Sequence, residues 1–375
     1  MLDVMNAIKR KRTDSTITDS ANGAGHDDVD TATIDLAHLR RMFDDTGMLQ
    51  HAAYSTPNRS HGYCLDDNAR AAQFLCRYRE RTGDASVDRM IGTTLAFMQH
   101  AYNESEGRFR NFMGYDRAWL EEIGSEDAHG RALFALGTLA AMAPLPAERE
   151  LAADLFARAA KGTNDFTSPR SWASIILAMD EISTLPALFE RHRPLLERNA
   201  DRLAKIFADR DNRADACEWP WPEETVTYAN AQLPHALMVA GRLLDRPTVI
   251  RTGLDVLEWL FTCQTGYGGR LSIIGNDGWH TQGKARAEYD QQPIEACCLF
   301  EAATEAHRLT CNEIWSLRMT SCANWFIGDN DQGLALFDPV SGGCYDGLMR
   351  DGVNKNQGAE SLLAWLEVKG KSRVV

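Results

Sequence analysis

No apolar run in the 375 residues approaches the 18 needed to cross a bilayer as a helix. Basic charge is in deficit as well: 40 Lys and Arg stand against 53 Asp and Glu, a formal net charge of −13. A nucleic-acid surface or an anionic membrane partner is therefore not expected. A disulfide framework is missing too. The nine cysteines form no Cys-x-x-Cys pair, and most lie in apolar runs such as Glu295-Ala296-Cys297-Cys298-Leu299. They read as small buried hydrophobes in a reducing compartment. From Met1-Leu2-Asp3 to Lys9-Arg10-Lys11-Arg12 there is no apolar core, so a secretory leader is not expected and the protein is read as soluble and cytoplasmic. Several catalytic signatures are also absent: Gly-x-Ser-x-Gly, a Walker loop, Gly-x-Gly-x-x-Gly after a strand, and His-Glu-x-x-His. Gly266-Tyr267-Gly268-Gly269 lacks the Lys and the helix that a phosphate loop needs. Clustered acids can serve a metal, but the histidines lack ligand spacing, so neither metal nor cofactor is expected.

What is present is helix after helix. Residues 1–33 are polar and predict a flexible tail, with Lys9–Arg12 a solvated basic patch. Residues 34–375 predict one catalytic domain. One series of segments has apolar positions at three- and four-residue intervals and charged outer faces: 36–49, 87–102, 149–160, 188–207, 249–263 and 314–326. A second series is small and apolar around most of its circumference, as interior helices are: 68–78, 128–142, 171–182, 229–244, 294–306 and 359–366. The two series alternate, and interior starts recur roughly every 60 residues. Six outer–inner hairpins predict an all-α fold, an (α/α)6 toroid. An open solenoid would share the pattern, because closure is not written in periodicity.

Long segments precede the interior helices: 107–124, 210–227, 264–288 and 328–357. Loops of this length in a compact domain are usually functional. All four are expected on the rim where the interior helices begin, and 107–124 has the alternation of a hairpin. Chemistry collects at the same end. His61-Gly62-Tyr63-Cys64-Leu65-Asp66-Asp67-Asn68-Ala69-Arg70 opens the first interior helix, and Ser125-Glu126-Asp127-Ala128-His129-Gly130-Arg131 the second. Glu223-Glu224 with Tyr228 and Asn230 precedes the fourth. Glu288-Tyr289-Asp290-Gln291-Gln292 precedes the fifth, and Asn356-Gln357-Gly358-Ala359-Glu360 the sixth. One acid per start would suffice for capping. Doublets converging on one axis suggest an acidic cleft.

Neighbouring carboxylates suit glycoside hydrolysis, in which one protonated acid serves the leaving oxygen and one carboxylate activates water or attacks the anomeric carbon. Like charges in a shared pocket raise one pKa and create the acid. Asp67 and Asp127 are the leading pair, with Asp66, Glu126, Glu224, Asp290 and Glu360 as contenders. Expected substrate contacts are the aromatic faces of Trp219, Trp221, Tyr228, Trp279, Tyr289 and Tyr345. The polar contacts expected are His61, Arg70, His129, Arg131, Asn230, Gln291, Asp346, Asn356 and Gln357.

Over 34–370 the pattern resembles the six-hairpin (α/α)6 glycosidase superfamily, which includes unsaturated glucuronyl hydrolases, glucoamylase-like enzymes and N-acyl-glucosamine epimerases. The 61–70 and 125–131 motifs, with Gly342-Gly343-Cys344-Tyr345-Asp346-Gly347-Leu348 and Asn356-Gln357-Gly358-Ala359-Glu360-Ser361, are similar to bacterial helical domains often fused behind glycosyltransferases. The resemblance implies a carbohydrate substrate, an inverting mechanism and a possible glycosyltransferase partner. The alternatives are a sugar epimerase, isomerase or lyase, and a glycan-binding module. An epimerase would want facing histidines, for which His129, His235 and His280 are the possible members.

Overall fold

Proline and small polar residues decide where the helices start. Pro146, Pro169, Pro186, Pro247 and Pro293 each occupy the first turn of a helix, where a missing N–H is harmless. Ser125 and Ser168 cap by accepting the amides of Ala128 and Ser171. The computed structural model describes residues 34–212, 215, 216 and 218–372. The expected tail over 1–33, its basic cluster and Cys217 lie outside the described residues.

Twelve α-helices are described: α1 Ala37–Met42, α2 Leu65–Thr82, α3 Asp88–Ala101, α4 Glu126–Met142, α5 Pro146–Ala159, α6 Pro169–Glu181, α7 Pro186–Asp211, α8 Gln232–Leu243, α9 Pro247–Cys263, α10 Pro293–Thr310, α11 Glu313–Phe326 and α12 Ala359–Lys371. The even-numbered ones form the inner ring. Each packs on the next, and α12 packs back on α2, so the ring closes. The toroid is thus realised, not the open solenoid. The inner helices are sheathed as the composition implied: Ala132, Ala135, Leu136 and Leu139 of α4 and Ala296, Leu299, Ala302 and Ala303 of α10 are all buried. Strands are short two- and three-residue ladders among the rim loops.

Two expected spans are corrected. The segment 36–49 is helical only over Ala37–Met42. Asp44 Oδ1 accepts the amides of Thr46 at 2.8 Å and Gly47 at 3.3 Å, and this side-chain turn competes with the helix. The helix expected from 229 starts at Gln232. Ala229 holds a left-handed φ of 47°, and its amide donates to Glu295 rather than into a helix. The hairpin expected in 107–124 is shifted: Arg108–Phe109 pairs back with Tyr102–Asn103, ahead of that segment, and within it Met113 and Trp119 form only an isolated bridge. Beyond it, Phe112–Met113 pairs with Tyr63–Cys64.

Candidate active site

The opening of α2 is positioned from both sides. Gly62 has a φ of 64°, and a Cβ there would lie 2.1 Å from the Met113 carbonyl oxygen, so only glycine lets the two short strands meet. The Leu65 amide donates to the Asn111 carbonyl at 2.8 Å. Asn68 reaches back to bind the Met48 amide at 2.8 Å and the Cys64 carbonyl at 2.9 Å. Asp66 and Asp67 are thereby held in the first turn, where the helix dipole favours acids.

A pocket of about 310 Å³ opens over this turn. Asp66, Asp67 and Arg70 come from α2, and Glu360 and Ser361 from α12. Asp346 and Asp290 come from the loops ahead of α12 and α10, and Gln50, His51, Asn111 and Phe112 from the rim. Arg70 bridges the seam of the ring, 3.3 Å from Asp67 and 2.8 Å from Glu360. Arg131 of α4 holds Asp66 at 3.0 Å. Asp346 Oδ1 accepts the Gly358 amide at 2.7 Å.

Electrostatics separate these acids. Burial raises Asp67 to about 7; Arg70 opposes the shift, and Glu360 and Asp66 add to it. Burial also raises Asp290 to about 6, with the charges of Asp346 and Asp277 adding. One Asp290 oxygen is buried without a hydrogen-bond partner. Burial raises Asp346 as well, against the hydrogen bond from Gly358. Burial, then His61, pushes the His51 imidazole below its ordinary range.

Several expected residues serve the scaffold. Asp127 accepts from the hydroxyls of Ser168 and Tyr228, apart from the pocket that Asp67 lines. Tyr228 is exposed, and its ring lies 4.6 Å from the Arg170 guanidinium carbon. Glu126 accepts the amides of Thr167 and Ser168, both at 2.7 Å, and so caps the approach to α6. Glu224 is exposed, whereas its neighbour Glu223 pairs with Arg170 at 3.0 Å. Asn230, Gln291 and Gln357 are buried bolts: Asn230 to Thr227 and Glu295, Gln291 to Trp325 and Asp331, Gln357 to Ser341 and Asp338. Trp219 and Trp221 are not sugar platforms. They are 5% and 0% exposed and pack on Trp259, because their indoles complete the core beneath the loop.

His129 is fully buried between Phe109 and Phe166, bonded to the Ala159 carbonyl at 3.0 Å, with burial pushing it down to about 3. His235 faces a small axial cavity and His280 packs on Trp219, so these three do not converge. His61 is exposed and lies edge-on to His51 at 4.7 Å. Asn356 is exposed and accepts the Tyr54 amide at 3.0 Å. Tyr345 and Trp279 are half-buried in their loops, Trp279 with a left-handed φ of 58°. Tyr289 lines a cavity adjoining the pocket.

Sequence reasoning missed His51, Asn111, Gln292 and Glu295. His51 sits between the segment expected as the first helix, 36–49, and the 61–70 motif, in a stretch with no pattern of its own. Glu295 carries the signal of an acid in the first turn after Pro293, but its partners, the Ala229 and Asn230 amides, are over 60 residues away. Burial raises it to about 7, opposed first by the Ala229 amide.

No protein-family model matches the chain, and no curated protein matches it. Among solved structures it is similar to a sugar epimerase from a ruminal bacterium, at 10% identity over 91% of this chain and 95% of that one, with a TM-score of 0.69. The cellobiose 2-epimerase of Spirochaeta thermophila is similar at 14% identity, covering 90% and 92%, with a TM-score of 0.66. An inactive α-1,6-mannanase variant of Salegentibacter sp., with two consecutive aspartates replaced by alanine and α-1,6-mannotetrose bound, is similar at 11% identity, covering 90% and 97%, with a TM-score of 0.59. These likenesses establish the fold.

Proposed function

We propose that this (α/α)6 toroid is a carbohydrate-active enzyme, and more finely a glycoside hydrolase using Asp67 as general acid and Asp290 as general base. The observation that carries the proposal is the shared pocket in which Asp67 is raised to about 7 and Asp290 to about 6. At neutral pH such a pair supplies one carboxyl that still holds a proton and one that is largely ionised. Asp67 protonates the glycosidic oxygen as the C–O bond breaks. Asp290 takes a proton from the water that attacks the anomeric carbon. Both carboxyls then exchange protons with solvent. A pocket of about 310 Å³ leaves space for a water, whose share of liquid volume is about 30 Å³, beside a sugar ring. The reading is of inversion, with Asp290 activating water on the face opposite the leaving oxygen. Arg70 orients Asp67 and Glu360, and Arg131 orients Asp66.

The mannanase variant supports catalysis by paired acids: removal of two consecutive aspartates accompanies inactivity there, and this chain carries the consecutive pair Asp66-Asp67 in the first turn of α2. Asp127, one of the leading pair from the sequence, is replaced by Asp290 in this reading because it is already bonded to Ser168 and Tyr228.

A second reading, a sugar epimerase or isomerase, is favoured by the higher TM-scores of the epimerases, 0.69 and 0.66 against 0.59. Against it, His51 and His61 stand side by side rather than across the pocket. One incubation separates the two. The full chain is incubated in D2O with manno- and cello-oligosaccharides and followed by NMR. New reducing ends, first seen with inverted anomeric configuration, support hydrolysis. Deuterium at the carbon next to the reducing carbonyl with no bond cleavage overturns it in favour of epimerisation.

A further inference from the structure

The cleft extends past Asp290. A second cavity, of about 610 Å³, shares that residue as a wall and is further lined by Asn276, Asp277, Arg286, Tyr289 and Arg350. Its walls are tied down. The Asn276 amide donates to the Asp290 carbonyl at 2.9 Å, and the Asp277 amide to the Tyr289 carbonyl at 3.2 Å. Arg286 donates to the Ser272 carbonyl at 2.7 Å and to its hydroxyl at 2.6 Å. Gln332 donates to the Tyr289 hydroxyl at 3.0 Å and to the Arg350 carbonyl at 2.8 Å. The Arg350 guanidinium carbon sits 5.3 Å from the centre of the Tyr289 ring.

This wall interleaves carboxylate acceptors with guanidinium and amide donors, and adds one phenol. A ligand dense in hydroxyls, each both donor and acceptor, satisfies such a lining. An apolar ligand leaves its polar groups unpaired, and a ligand of single charge meets groups of its own sign. Resting on the reading of the adjoining pocket as a glycosidase site, we infer that the second cavity is a subsite for the next sugar of the chain. The substrate is then an uncharged oligosaccharide of at least two residues, spanning the two cavities that share Asp290.

The test uses the full chain carrying Asp67→Asn, so that bound glycans are not consumed. Mannose and α-1,6-manno-oligosaccharides of two to four units are titrated by calorimetry, and glucose with the matching cello-series alongside. Affinity is expected to rise about tenfold or more from one unit to two in whichever series binds. Adding Met349→Trp, which places a large ring in the cavity from a position 39% exposed, is expected to collapse that ratio toward one. Asp277→Ala, on the exposed loop, is the second variant and is expected to reduce the same ratio, which covers a Met349→Trp chain that does not fold. Equal affinity for one, two and more units overturns the subsite while leaving the catalytic pocket standing. A ratio unmoved by both variants does the same. Binding of no member of either series overturns the sugar-site reading itself, and the subsite with it.

Discussion

Asp67 is a group whose placement favours chemistry over stability. Its folded pKa of about 7 stands above the ordinary value of 3.8, so the folded chain keeps a proton that the unfolded chain has released. The stability this contributes is present below the unfolded value and is lost as pH rises through the folded one. Asp67→Asn is therefore expected to stabilise the protein at pH 8, by on the order of 1–3 kcal/mol, with the gain fading toward pH 4. Paired thermal melts at the two pH values measure this, and a variant that melts lower at pH 8 contradicts the assigned burial. The same substitution is expected to lower kcat by about a thousandfold, since no proton reaches the leaving oxygen. In the wild-type protein kcat/KM should be bell-shaped. The acid limb is set near 6 by ionisation of Asp290 and the alkaline limb near 7 by loss of the Asp67 proton, both belonging to the coupled pair. A profile flat from pH 5 to 8 would remove both residues from the reaction.

Among the helices, the surplus of acid at the inner starts has two physical uses, and single residues show the division. Asp67 and Glu360 meet Arg70 at the pocket. Glu126 and Glu295 instead cap neighbouring segments: Glu126 the amides ahead of α6, Glu295 those ahead of α8. Arg170 adds a bond to the Tyr228 carbonyl at 2.7 Å. Adjacent hairpins are thus stitched by side chain–backbone bonds, a job that a Ser or Asp cap on its own helix cannot do. Glu126→Ala leaves two amides without their acceptor, one exposed and one part-buried, and is expected to lower unfolding free energy by about 1–3 kcal/mol in urea titration. The Asp67-dependent pH profile should stay where it was. This division was not readable in advance, because a glutamate that caps its neighbour has the same sequence signature as one that faces a substrate.

Over the whole toroid, the end opposite the pocket is closed by charge. Arg77 of α2 reaches Glu181 of α6 at 2.6 Å and Glu367 of α12 at 2.9 Å. Lys371 of α12 reaches Glu301 of α10 at 2.7 Å, and Arg242 of α8 joins Asp180 of α6 at 2.7 Å to Glu305 of α10 at 3.2 Å. Above this network the axial cavity shrinks to about 60 Å³. Lys371 and Arg77 draw Glu301 down to about 2 despite its burial. The contribution of this pairing is fully present above the unfolded carboxylate value and is lost as pH falls through about 2. Lys371→Met is expected to destabilise the fold by about 3–5 kcal/mol at pH 7, and by less at pH 3, where the stranded acid can protonate. A deficit independent of pH would mean that Lys371 acts through packing instead. None of the helices among the described residues is long and apolar enough to cross a membrane, in keeping with helices that bury one another.

Periodicity was enough to specify which helices are inner and which outer, because burial around a whole circumference leaves its trace in every residue of a segment such as Ala132–Ala140. Chain order also brought Asp66-Asp67, Asp290 and Glu360 to inner-helix starts. Closure of the ring, the Arg70 bridge between α2 and α12, and the exclusion of Asp127 from the pocket came only with packing. Each depends on a contact between residues far apart in sequence: Arg70 and Glu360 are 290 positions apart, and Asp127 and Tyr228 are 101. The trap of Trp219 and Trp221 has the same origin. An indole beside prolines in a loop looks like a sugar platform until a helix, here α9 with Trp259, is found packed against it. A local pattern records what a residue's own element needs; which partner fills the space across from it is a property of the fold.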